Sequence, residues 1–77
     1  MELTLDCRHG MDAIHTQLAE ALAFPSWYGR NLDALHDCFT ELSTPLTIRL
    51  LEPTLLPGLF QVLRDCTEEN PFLTLLI

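Results

Sequence analysis

The sequence predicts a two-layer α/β domain in which three parallel strands, in the order 1-2-3, carry helices on one face only. Three observations lead there. Short runs of two-residue period stand near the start, the middle and the end of the chain. The segments between them are long enough for helical crossovers between parallel neighbours. Each run also sets a threonine, Thr4, Thr47 or Thr74, opposite its leucines, whereas a parallel sheet covered on both faces is apolar throughout. With right-handed crossovers, helices confined to one face require the strands to be added in one direction.

The first strand is Glu2 to Asp6, where Leu3 and Leu5 alternate with Thr4. Cys7 to Met11 reads as a loop. Asp12 suits the cap of a helix running to about Ala23, because Ile14, Leu18, Ala21 and Leu22 fall on one side, and Pro25 ends it. Trp27 and Tyr28 follow in a turn closed by Gly29, and Asn31 is placed to cap a second helix from Leu32. Ser43, Thr44 and Pro45 close that helix and open a strand from Pro45 to Leu51. Two prolines between Glu52 and Gly58 leave room for one helical turn. Pro57 suits the first position of a third helix built on Leu59, Val62, Leu63 and Cys66, stopped by Asn70 and Pro71. Phe72 to Ile77 is the last strand.

At 77 residues, 48% of them hydrophobic, residues 1–77 form one small domain with enough apolar material for a single core. Four arginines, no lysine and a net charge of −7 argue against nucleic acid or an anionic membrane surface and favour a basic protein as partner. The start of the chain lacks a signal peptide's cationic and long apolar runs, and no stretch reaches membrane-spanning length, so a cytoplasmic protein is expected. Cys7, Cys38 and Cys66 are odd in number and widely spaced, which suits reduced thiols.

The second helix is where function is most legible. Leu32, Leu35, Phe39 and Leu42 share one face, while Asp33, Asp37 and Glu41 form a stripe on another. Acids four apart on a helix repel by about 0.2 to 0.5 kcal/mol per pair. The only nearby cation to relieve them is Arg30. Asp33 favours the dipole in the first turn; Asp37 lies too deep to gain from it. Two large aromatics beside an acid stripe match the make-up of a binding hot spot, although either aromatic could serve the core instead.

Other chemistry fits less well. Positions two apart on a helix point about 200° from each other, so His36 and Cys38 do not converge on a zinc ion or form a catalytic pair. Neither serine sits in a nucleophile motif. Asp33 and Asp37 could hold a divalent cation or act as an acid–base pair, given a cleft and further ligands.

The run Tyr28, Gly29, Asn31, Leu32, Asp33, Ala34, Leu35, Asp37 and Cys38 resembles the barstar family of intracellular ribonuclease inhibitors. Looser similarity covers the first helix with Asp12, Leu22 to Pro25, the stretch Gln61, Val62 and Arg64, and the last strand. The resemblance implies three parallel strands with helices on one side, and an inhibitor without catalytic residue, metal or cofactor whose helix inserts acids where a nuclease expects substrate phosphate. It implies Asp37 as the central plug, Asp33 as its neighbour, Trp27 as aromatic anchor and Asp65 as an acid from the last helix; His36, Thr40 and Glu41 of the second helix are further candidates for the partner surface. The chain departs from the family pattern at Trp27 (usually tyrosine), His36 (tryptophan), Arg30 (glutamate) and Asp65 (a longer acid), and its Pro53 to Pro57 segment is shorter than the family's usual helix there. The expected function is an immunity protein that blocks the basic active site of a ribonuclease or related toxin, as a free monomer with a dimer left open. An interaction module with a non-nuclease partner and a small metal-dependent enzyme using Asp33 and Asp37 are the alternatives.

Overall fold

A computed structural model describes all 77 residues. Its elements run β1 (Glu2–Asp6), α1 (Gly10–Leu22), α2 (Leu32–Thr40), β2 (Leu46–Leu51), α3 (Pro57–Glu69) and β3 (Leu73–Leu76), with single 3-10 turns at Cys7–His9 and Pro53–Leu55. The three strands pair in parallel in the order β1-β2-β3, with Leu3 opposite Ile48 and Ile48 opposite Leu75. Leu5, Leu46, Ile48, Leu50 and Leu73 are buried beneath the helices. Glu2, Thr4, Arg49, Leu51, Thr74 and Leu76 alternate with them on the open face. The expected architecture therefore holds, and it holds because the period-two pattern assigns each strand one wet and one dry side.

Two boundaries differ from expectation by more than one residue. Asp12 does not cap α1. The chain turns from the 3-10 segment straight into the helix at Gly10, and Asp12 lies inside the first turn. Gly10 adopts φ +85°, a conformation that side chains disfavour, so the missing Cβ makes this abrupt junction possible. Asp6 supplies the cap one element earlier. Its carboxylate accepts from the Arg8 backbone N–H (3.0 Å) and takes a forked ion pair from the Arg8 guanidinium, which holds it down at a pKa of about 2.

The second difference is that α2 ends at Thr40, so Leu42 packs on the core from outside the helix. Asn70 causes the early stop. This buried side chain, just past α3, donates to the Phe39 carbonyl (2.9 Å) and the Leu42 carbonyl (3.0 Å), and accepts from the Phe72 N–H (2.9 Å). Asn70, just past the neighbouring helix, thus meets the last carbonyls of α2, with the Phe39 carbonyl also accepting a longer bond from the Leu42 N–H (3.4 Å). At the opposite end Leu32 reaches Gly58, where an added Cβ would lie 3.0 Å from Leu32 Cδ1. Hence α2 and α3 lie side by side and run the same way.

Candidate functional site

The turn before α2 separates its two aromatics. Tyr28 points inward, 9% exposed, packed against Phe24 with ring centres 4.8 Å apart and planes tilted by 57°, and hydrogen-bonded through its hydroxyl to Nδ1 of the buried His15. Trp27 points outward and is 68% exposed. One aromatic anchors the turn in the core, and the other is left on display. Burial pushes the Tyr28 phenol up to about 12 and pulls the His15 imidazole below its usual value, aided by Arg30 and opposed by Asp12.

His15 makes the turn sensitive to acid. A histidine held neutral by the fold contributes its full stability above the unfolded value of 6.5 and loses it as pH falls through the lower folded value. Thermal stability is therefore expected to decline as pH drops below about 6.5, before the carboxylates titrate. His15→Gln, which has no charge to bury, should flatten that decline. A decline of unchanged steepness in the variant would assign it to another group.

Arg30 corrects one expectation. It does not relieve the acid stripe. Its guanidinium turns back onto α1, donating to the Asp12 backbone carbonyl (3.0 Å), the Asp12 carboxylate (3.2 Å) and the Thr16 hydroxyl (3.0 Å). The residue takes φ +54° to do so. Losing the guanidinium removes these exposed contacts, whereas the left-handed backbone costs any residue with a Cβ about 1 kcal/mol or more. Arg30→Ala is accordingly expected to be less stable than Arg30→Gly by about 1 kcal/mol in chemical denaturation. The reverse order would show that φ is not what limits this position.

Asn31 caps α2 as expected, its side-chain oxygen accepting from the Ala34 N–H at 2.7 Å. Leu35, Cys38 and Phe39 then face the core, and Asp33, Asp37 and Glu41 are exposed. No cation pairs with any of the three. Glu41 is the C-cap residue, placed at the negative end of the helix dipole, where an acid gains nothing from it. Thr40 is half-buried, and its hydroxyl donates back to the Asp37 carbonyl (2.9 Å).

His36 sits at the seam between α2 and α3 as a half-buried rim residue, with Nε2 2.8 Å from the Glu69 carboxylate. Gln61, Asp65 and Glu69 stand four apart and so share one side of α3. Gln61 donates to Asp65 at 2.9 Å, which fixes that carboxylate. The seam thus brings Glu69 of α3 against His36 of α2, with Asp65 one turn earlier on the same side of α3. Glu69 was not among the sequence candidates, although its four-residue spacing from Asp65 was a usable signal. The three cysteines are free and buried, and burial pushes the Cys66 thiol up to about 11, which makes it a poor nucleophile. No group of three or more His, Cys, Asp or Glu side chains is close enough together to hold a metal ion. No helix is long and apolar enough to cross a membrane.

With this capped and acid-bearing second helix set on a three-stranded parallel sheet, the chain matches the family described as "Barstar (barnase inhibitor)" over residues 1–71. The chain belongs to the barstar family. The match runs from β1 to the end of α3, so the whole helical layer lies within it. A curated relative from Bacillus subtilis (strain 168), named "Putative ribonuclease inhibitor YrdF", is 49% identical over 41 residues. Those residues are 52% of this chain and 45% of that protein, so the match spans a little under half of the relative's length. Within the barstar family frame, Trp27, Asp33, His36 and Asp37 lie on a single run of chain, the turn and α2, while Asp65 enters from α3.

Proposed function

We propose that the chain is a protein inhibitor of a ribonuclease, acting without chemistry of its own by placing the acids of α2, with Asp65 beside them, in a basic active site. The observation that carries this reading is the exposed row Asp33, Asp37 and Glu41, which no cation of the chain neutralises. A nuclease site holds cations to bind phosphate, and carboxylates at helical spacing offer it the same charge on a rigid frame. Trp27 supports the reading as an exposed aromatic anchor next to that row. Family membership and the name of the Bacillus subtilis relative point the same way. In the cell such an inhibitor serves as an immunity protein, holding a toxic ribonuclease inactive in the cytoplasm.

The test is a titration of the purified protein against barnase and against ribonucleases captured from the source cell, with cleavage of a fluorogenic oligoribonucleotide as readout. Stoichiometric loss of activity is expected for at least one of these enzymes. Capture of a partner without nuclease activity, together with full activity of every ribonuclease tried, would favour an interaction module on the same fold.

A further inference from the structure

Behind Trp27 lies an open apolar cavity of about 420 Å³, walled by Leu22, Phe24, Trp27, Leu42 and Leu46, with Glu41 at its edge. Nothing in the acid-plug reading uses it. We propose that this cavity is a second subsite for the same basic partner, one that takes the alkyl stem of an arginine or lysine while Glu41 and the Trp27 ring receive its cationic head. For the partner's identity the proposal rests on the inhibitor reading above.

Three observations select this occupant. Among the residues lining the cavity, Glu41 carries the only charged side chain, and a purely apolar ligand would bury it without compensation, while the Met1 ammonium in the same lining is engaged with the Pro45 carbonyl (3.4 Å). Glu41 also caps the C-terminus of α2, where the helix dipole adds negative potential and favours a cation. Trp27 is exposed enough to offer a ring face to that cation. Long basic side chains bury their stems on apolar walls and keep their heads at a polar edge, which is the shape of this site. Glu41 is shared between the acid row and the cavity, so a protein whose cations face Asp33 and Asp37 brings a neighbouring side chain over the opening.

The probe is n-hexylguanidinium, with n-hexanol and hexanoate as comparators. Binding is followed by fluorescence of Trp27, the chain's single tryptophan, and by backbone amide shifts. Saturable binding with shifts confined to the cavity is expected, and replacing the cation by the alcohol should weaken it about three- to fivefold, as for one exposed ion pair. Hexanoate should bind weakest. Glu41→Gln should remove the preference for the cation, and Ala21→Phe, which fills the cavity from the exposed side of α1, should abolish binding of all three. Thr44→Phe fills the same space from the other wall should Ala21→Phe fail to fold. Equal affinity for alcohol and cation, or shifts scattered over the surface, would overturn the proposal. In a second arm, the cavity-filled variant that folds is titrated against barnase. Undiminished inhibition by it would remove the cavity from the interface while leaving the inhibitor reading intact. If the wild type does not inhibit barnase or any captured ribonuclease, the inhibitor reading fails, and the alkylguanidinium result stands or falls separately.

Discussion

Asp37→Ala is expected to lose at least about 2 to 5 kcal/mol of affinity for the inhibited ribonuclease, a range carried over from desolvated interfacial charge pairs that include the barnase–barstar complex itself. The loss is that large because truncation leaves the partner's cations buried and unpaired, a penalty greater than the net worth of the contact. Folding should hardly change. Asp37 is exposed, it caps nothing, and no side chain of the chain contacts its carboxylate. The acidic face should also steer the encounter, so association slows as salt rises, with a screening length of about 10 Å at ~0.1 M. The comparison is with Glu20→Ala, another exposed acid, on α1, measuring thermal stability, affinity for the inhibited enzyme and its salt dependence. Equal affinities for the two variants would return Asp37 to the ordinary solvated surface.

The second large effect is on stability. Asn70→Ala removes one side chain, leaving the Leu42 carbonyl and the Phe72 N–H without its hydrogen bonds and the Phe39 carbonyl with only the longer bond from the Leu42 N–H (3.4 Å). An unsatisfied buried polar group costs about 1 to 3 kcal/mol, so a total loss of roughly 2 to 4 kcal/mol is expected in urea denaturation with an unchanged slope. Asn70→Asp keeps the acceptor for Phe72 but sets a carboxylate against two carbonyls, and should cost at least as much. Asn70 also sets where α2 ends and hence where Glu41 stands, so both variants should bind the ribonuclease more weakly. A loss below about 0.5 kcal/mol for Asn70→Ala would mean that water takes over these groups, and that Asn70 is not the clamp between α2 and α3.

The strands, their order and the single helical layer were legible because each depends on a short local period: leucines alternating with threonines for the sheet, and Leu59, Leu63 and Cys66 for one side of α3. The Asn31 cap and the row Asp33, Asp37 and Glu41 were legible for the same reason, since a helix converts spacing directly into a shared face. The start of α1 was not, because Asp12 is a good cap by residue type, yet the sharp turn at Gly10 starts the helix two residues before it, with no side-chain cap.

What spacing cannot encode is which way a side chain turns when two parts of the chain compete for it. Trp27 and Tyr28 are neighbours of similar size, and it is the buried His15, thirteen residues from Tyr28, that draws one inward and leaves the other exposed. Arg30 stands next to the acid helix in sequence, yet Asp12 and Thr16 take its charge. His36 meets Glu69, and Asn70 ends a helix that it does not belong to. Sequence alone therefore determined the layers of this protein and the acid row, both set by contacts within a few residues. Tertiary structure decided which aromatic is exposed, where Arg30 spends its charge and where α2 ends, because those choices come from hydrogen bonds and ion pairs between distant segments that form only once the helices have packed.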